Sequence, residues 1–105
     1  MNRDYSLRKN TIESGRFVIP YRVYENNGPH IICLNGVQQS MAMWHSFIQR
    51  FAHKYRTVLF DFPNQGKGYI LSGAPRASLD EEVDILDKVI KATRCNGDLT
   101  LCSAS

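Results

Sequence analysis

No apolar run in this chain approaches the length of a membrane span. The first ten residues, MNRDYSLRKN, carry basic side chains but no apolar segment behind them, so no signal peptide is read there. No stretch concentrates Lys and Arg with interleaved aromatics. A net charge of +3 over 105 residues is then ordinary solvated charge, and no nucleic-acid partner is expected. Cys33, Cys95 and Cys102 are odd in number and lack CxxC spacing. They read as small hydrophobes in a reducing compartment, which places the protein in the cytoplasm. His30, His45 and His53 have no Cys, Asp or Glu partner at metal spacing. No GxGxxG follows a strand, and Gln65-Gly66-Lys67-Gly68 lacks the upstream Gly and the following Ser or Thr of a phosphate loop. Neither a metal nor a cofactor is expected. Repeats, low-complexity tracts and linkers are also missing.

What is present suits one partial domain over residues 1–105, with enough apolar residues for a modest core. Residues 5–13 are weakly strand-like, and Ser14-Gly15 supplies a turn. Residues 16–25 alternate, with Phe17, Ile19, Tyr21 and Val23 on one face and Arg22 and Tyr24 on the other. Pro20 cannot donate to a ladder, which predicts a strand at or near a sheet edge. Together these segments suggest an antiparallel hairpin, ended by Asn26-Asn27-Gly28-Pro29.

His30–Leu34 is a continuous apolar run, as expected of a parallel strand buried on both faces. A helix is predicted over 42–54, with the stripe Trp44, Phe47, Ile48, Phe51, Ala52 and Tyr55. A second buried strand follows over 57–62, then a Gly-, Pro- and Asn-rich loop to about Ala77. Ser78 and Glu81 form a capping box. The helix behind them is predicted to bury Leu79, Val83, Leu86, Val89 and Ile90. Asn96-Gly97 stops it, and residues 98–102 read as a short buried strand. Alternating strands and amphipathic helices argue for right-handed crossovers and a parallel sheet.

Ligands of such sheets bind beyond the carboxyl ends of the strands. Three ends converge on one rim: Asn35-Gly36-Val37-Gln38, Asp61 to Gly68, and Ser103-Ala104-Ser105. Gly36 lets the backbone turn with its amides toward the rim. The Val37 N–H is a candidate donor to the oxyanion of an acyl-transfer reaction. Asn35-Gly36 also reads as a simple strand-ending turn, and Ser-Ala-Ser as a plain polar tail. Asp61 precedes the final serine and reads as a loop anchor.

These residues resemble a known group. YRVYENNGPHIICLNG is similar to the second-to-third strand region of α/β hydrolases, with Asn35-Gly36 where that family usually has His-Gly. Asp61-Phe-Pro-Asn-Gln-Gly66-Lys-Gly68 resembles the family's Asp-x-Pro-Gly-x-Gly-x-Ser loop, with Asn64 and Gly68 as departures. Leu-Cys-Ser-Ala-Ser resembles the approach to the nucleophile elbow. Within the group the sequence is most similar to the RhlA family of 3-(3-hydroxyalkanoyloxy)alkanoic acid synthases. The shared patterns are Leu-Asn35-Gly36, Val-Leu-Phe-Asp61-x-Pro, Glu82-Val-Asp-Ile-Leu86 and Ser103-Ala-Ser105, over roughly residues 17–105.

The resemblance implies the N-terminal portion of an α/β-hydrolase fold, a hairpin followed by a parallel sheet with crossover helices, truncated at the elbow. It implies the strand order 1-2-4-3-5, Ser105 as nucleophile, Val37 as oxyanion amide, and Asn35, Gly36 and Gln38 as substrate-binding residues. The implied partner is an acyl-carrier-protein or CoA thioester of a 3-hydroxy fatty acid. The implied reaction joins two 3-hydroxyacyl units. The triad's acid and base would follow the nucleophile in sequence, and none is assigned. The 105-residue chain alone is expected to be inactive and prone to associate through its last strand. An esterase or thioesterase on the same fold, or a non-catalytic fragment, stays open as an alternative.

Overall fold

The computed structural model describes residues 5–36, 39–63, 65, 69–73, 76–95 and 97–103. Among them, strands β1 (Ser6–Ser14), β2 (Phe17–Glu25), β3 (His30–Leu34), β4 (Arg56–Phe60), β5 (Tyr69–Ile70) and β6 (Thr100–Ser103) form one sheet. Helix α1 (His45–Phe51) follows a 3-10 turn at Met41–Trp44, and α2 (Leu79–Ala92) precedes β6. The order along the sheet is β1-β2-β4-β3-β6, with β5 also against β2. β1 to β2 and β2 to β4 are antiparallel, whereas β3 is parallel to both β4 and β6. This is the expected hairpin and parallel sheet in the expected order.

The alternation of side chains explains why both faces are covered. Phe17, Ile19, Tyr21 and Val23 of β2, Ile32 of β3, and Val58 and Phe60 of β4 pack with Ile85 and Val89 of α2. Tyr24, Ile31, Cys33 and Leu59 point the other way, onto Met41, Trp44, Ile48 and Ala52. β3 and β4 are therefore sandwiched between helices, which is why their sequences read as unbroken apolar runs.

β2 lies near the sheet edge, as Pro20 suggested, with β1 outside it and β4 and β5 on its other side. Pro20 fits because its carbonyl, which accepts the Asp61 N–H at 3.2 Å, faces the gap between β4 and β5. Its missing N–H would point the same way, where no ladder needs it. The last strand, β6, is paired on one side only among the described residues, as expected of an edge. Three expectations are corrected. The region read as a loop contains β5, which pairs Phe17 with Ile70. The helix α2 is rolled relative to the predicted stripe: Ile85 and Val89 are buried, while Leu79 and Val83 are 76% and 58% exposed. The last strand was read as buried, but Leu101 is half exposed at that edge. On the opposite face of the sheet, Phe51 is also exposed, because α1 ends there and the chain turns toward β4.

Ion pairs and turns fix the corners of the sheet. The buried Arg56 guanidinium holds Glu25 through two hydrogen bonds, of 2.5 and 3.2 Å, and also donates to the Thr93 carbonyl behind α2. This joins the starts of β4 and the chain after α2 to the end of β2. Arg16, in the hairpin turn, makes a bidentate pair with Glu81 at 2.9 and 3.1 Å and donates to the carbonyls of Ser72 and Arg76. Glu81 also closes the capping box with Ser78. One residue pair thus sets where α2 begins and how it lies on the hairpin. After β2, a Cβ on Gly28 would fall 1.9 Å from the Lys54 carbonyl oxygen, so only glycine lets the two loops meet.

Both carboxylates are held below their ordinary value of 4.5: Glu25 chiefly by its hydrogen bond from Arg56, and Glu81, at about 2, chiefly by its hydrogen bonds from Arg16. A group whose pKa is lower when folded contributes stability above its unfolded pKa and loses it as the pH falls through the folded value. Stability to urea is expected to decline on acidification from pH 4.5 toward 2. Glu25→Gln and Glu81→Gln should each flatten that decline, as read from denaturation midpoints across the range.

Candidate active site

The carboxyl ends of β3, β4 and β6 lie on one rim because the three strands are parallel. The register sets Leu34 opposite Ser103 and Cys33 opposite Cys102. Asn35-Gly36 therefore leaves β3 beside the point where the chain passes from Ser103 toward residues 104 and 105. Ser105, Val37 and Gln38, three of the candidate residues, lie outside the described residues, as do Asn64, Gly66, Lys67 and Gly68 of the second rim loop.

The other two, Asn35 and Gly36, stand at the centre of a polar network. The Asn35 amide nitrogen donates to the Phe60 carbonyl at 3.0 Å, to Asp61 Oδ1 at 2.9 Å and to Gln65 Oε1 at 3.3 Å. Its Oδ1 accepts the Trp44 indole N–H at 3.0 Å. The side chain thus joins the end of β3, the end of β4 and the turn before α1. Asp61, 2% exposed, adds a bond from the Met41 amide to its Oδ1 at 2.8 Å. It anchors the loop, the role its position before the elbow suggested.

Gly36 is buried and its backbone is fully engaged. Its N–H meets Met43 Sδ at 3.2 Å. Its carbonyl accepts two bonds, from the Gln39 amide at 3.1 Å and from Gln65 Nε2 at 3.2 Å. Gln65 was not among the candidate residues. The sequence offers no pattern for it, since it occupies the variable position between Asn64 and Gly66. Its Oε1 also accepts the Phe62 amide at 3.1 Å, so its carboxamide spans the two rim loops.

A cavity of about 270 Å³ lies elsewhere. Arg22, Tyr24, Met41, His45, Ile48 and Leu59 line it on the α1 face, and none of Asn35, Gly36, Asp61, Gln65 or Ser103 does. Cys33 faces the same side, and burial pushes its thiol up to about 12, so it stays protonated and acts as packing. His45 and His53 are exposed, in keeping with their reading as surface residues.

No family model and no curated protein matches this sequence. Solved structures do. The Cif epoxide hydrolase from Acinetobacter nosocomialis superposes with a TM-score of 0.78 at 20% identity, over 94% of this chain and 30% of that one. The thioesterase domain from the curacin biosynthetic pathway gives 0.77 at 20% identity, over 95% and 37%. A proline iminopeptidase-related protein from Thermus thermophilus gives 0.79 at 18% identity, over 93% and 36%. The fold is that of the α/β hydrolases. The chain has the N-terminal part of it, and spans about a third of the length of the structures it matches. These structures bear epoxide hydrolase, thioesterase and peptidase-related names, so the likeness selects the fold and no single reaction. Among the described residues no helix is long and apolar enough to cross a membrane.

Replacing Asn35 by Leu would strand the Trp44 N–H, a lone pair of Asp61 and the Phe60 carbonyl together. A loss of about 2–3 kcal/mol is expected from leaving such groups unsatisfied. Trp44→Phe removes one donor and should cost about 1 kcal/mol. Urea unfolding of the two variants measures the difference, and equal costs would contradict the network.

Proposed function

We propose that the complete protein carrying this segment is a serine-dependent acyl-group enzyme that opens an ester or thioester. Ser105 is the nucleophile, and the Val37 N–H is an oxyanion donor. Asn35 and Gly36 serve the substrate by shaping the rim, since their own polar groups are engaged within it, and Gln38 serves it by contact. The observation that carries this reading is the parallel register of β3 and β6, with Leu34 opposite Ser103. It supports a serine two residues beyond Ser103 standing next to the loop that begins at Asn35.

In this chemistry the serine Oγ attacks the acyl carbon, and its proton passes to a base. The carbonyl electrons move onto oxygen and are stabilised by backbone donors already in position. Collapse of the tetrahedral state expels the alcohol or thiol and leaves an acyl-serine. Water then releases the acid, and the serine regains its proton. The base and the acid that orients it follow the nucleophile in chain order in this fold.

A second reading is favoured by Asn35 in the place usually taken by His. In it, the hydroxyl of a second 3-hydroxyacyl unit replaces water and gives a 3-(3-hydroxyalkanoyloxy)alkanoic acid, as the RhlA resemblance implies. The donor is then an acyl-carrier-protein or CoA thioester, and a cytoplasmic setting follows from that partner.

Product analysis separates the two. The complete protein is incubated with a 3-hydroxyacyl thioester. Free acid with thiol release is the expected outcome of hydrolysis, and a dimeric hydroxy-ester that of transfer. Ser105→Ala should lower either rate by at least about a thousandfold. Equal rates for wild type and Ser105→Ala would remove the proposal.

A further inference from the structure

The Gly36 carbonyl belongs to the same peptide unit as the amide nitrogen of residue 37. A trans peptide unit is planar, with its C=O and N–H pointing in opposite directions. Whatever holds that carbonyl therefore sets the direction of the amide, which the reading above assigns to the oxyanion.

Two donors hold it: the Gln39 amide, closing a turn, and Gln65 Nε2 from the neighbouring loop. The turn bond is local, between residues three apart. The Gln65 bond ties the loop to the end of β4. The Gln65 carboxamide is itself oriented, because its Oε1 accepts from the Phe62 amide and from Asn35 Nδ2, which leaves Nε2 as the end facing Gly36. Its backbone is fixed too, since the Gln65 N–H donates to the Phe62 carbonyl at 3.0 Å. Two hydrogen bonds on one carbonyl also polarise the peptide unit and strengthen its N–H as a donor, since hydrogen bonds in a chain reinforce one another.

We propose that Gln65 is a positioning residue for the oxyanion, holding and polarising the peptide unit that begins at the Gly36 carbonyl. It touches no reacting atom and acts through Gly36. This inference rests on the acyl-enzyme reading, and it adds a residue that carries the polarisation from β4 to the loop after β3.

The test uses the complete protein, a short-chain ester or 3-hydroxyacyl thioester, and the variants Gln65→Met, Gln65→Glu and Gln65→Asn. Met keeps the length and loses both the donor and the acceptor. Glu replaces the donor with a second acceptor facing the carbonyl. Asn keeps the donor but falls one methylene short, and serves in place of Met if Met fails to fold. The expected result is kcat lower by about tenfold in Met and Asn and by about a hundredfold in Glu, with KM within about twofold of wild type. Affinity for a phosphonate transition-state analogue should fall by the same factors, while affinity for a non-reactive substrate analogue stays constant. A purely structural role would instead lower both affinities and the melting temperature together.

Wild-type kcat in folded Gln65→Met and Gln65→Glu overturns this inference alone. So does a loss of kcat that only tracks the loss of folded protein. If wild type and Ser105→Ala both lack turnover, the acyl-enzyme reading fails first and the positioning role falls with it.

Discussion

One carboxamide at the end of β3 holds the rim together. Asn35 faces the ends of two strands and the turn before α1 at once, and it satisfies a buried carbonyl, a buried carboxylate and an indole N–H. Each of those groups would be costly to leave unpaired away from water. No apolar side chain can replace it. The same requirement extends outward. Asp61 must be an acceptor because Met41 and Asn35 both donate to it, and Gln65 must be a carboxamide because it accepts at one end and donates at the other. The loops of the rim are therefore shaped by polar satisfaction rather than by regular secondary structure.

That network is possible only because the strands beneath it are fixed in register. β3 lies between β4 and β6, with Ile32 and Cys33 fully buried on opposite faces. A slip of one residue would exchange the two faces, setting the α1-facing side chains against α2. The buried Arg56 pins the other end of β4 to β2 and to the chain behind α2. The fold thus has an ion-paired base and a hydrogen-bonded rim, and the rim is where parallel α/β sheets bind their ligands.

Much of this architecture was legible from the residues. Unbroken apolar runs marked β3 and β4, Ser78 and Glu81 marked the start of α2, and the alternation of elements pointed to a parallel sheet, whose strand order the resemblance supplied. The failures have physical causes. The last strand read as buried, yet with a neighbour on one side only among the described residues it leaves Leu101 half exposed. The roll of α2 was misread because apolar residues run around much of the helix, so that spacing alone allowed a stripe through Leu79 and Val83, whereas Ile85 and Val89 pack on the sheet. β5 is two residues long, too short for any periodic pattern. At the rim, Asn35 and Gly36 stood out as a break after a strand, whereas the direction in which the Asn35 side chain turns depends on Trp44, Asp61 and Gln65, which only the folded chain brings together. Gln65 carried no signal at all, because a glutamine in a loop is commonplace until its two ends are seen to bridge different segments.

If, as proposed, a reactive serine stands beyond β6 against this rim, a fluorophosphonate should find it. Treating the complete folded protein with that reagent and mapping the modified residue by mass spectrometry should give a single phosphonylated serine, Ser105, with labelling abolished by prior unfolding. Labelling of another residue, or none in protein shown to be folded, would contradict the proposal.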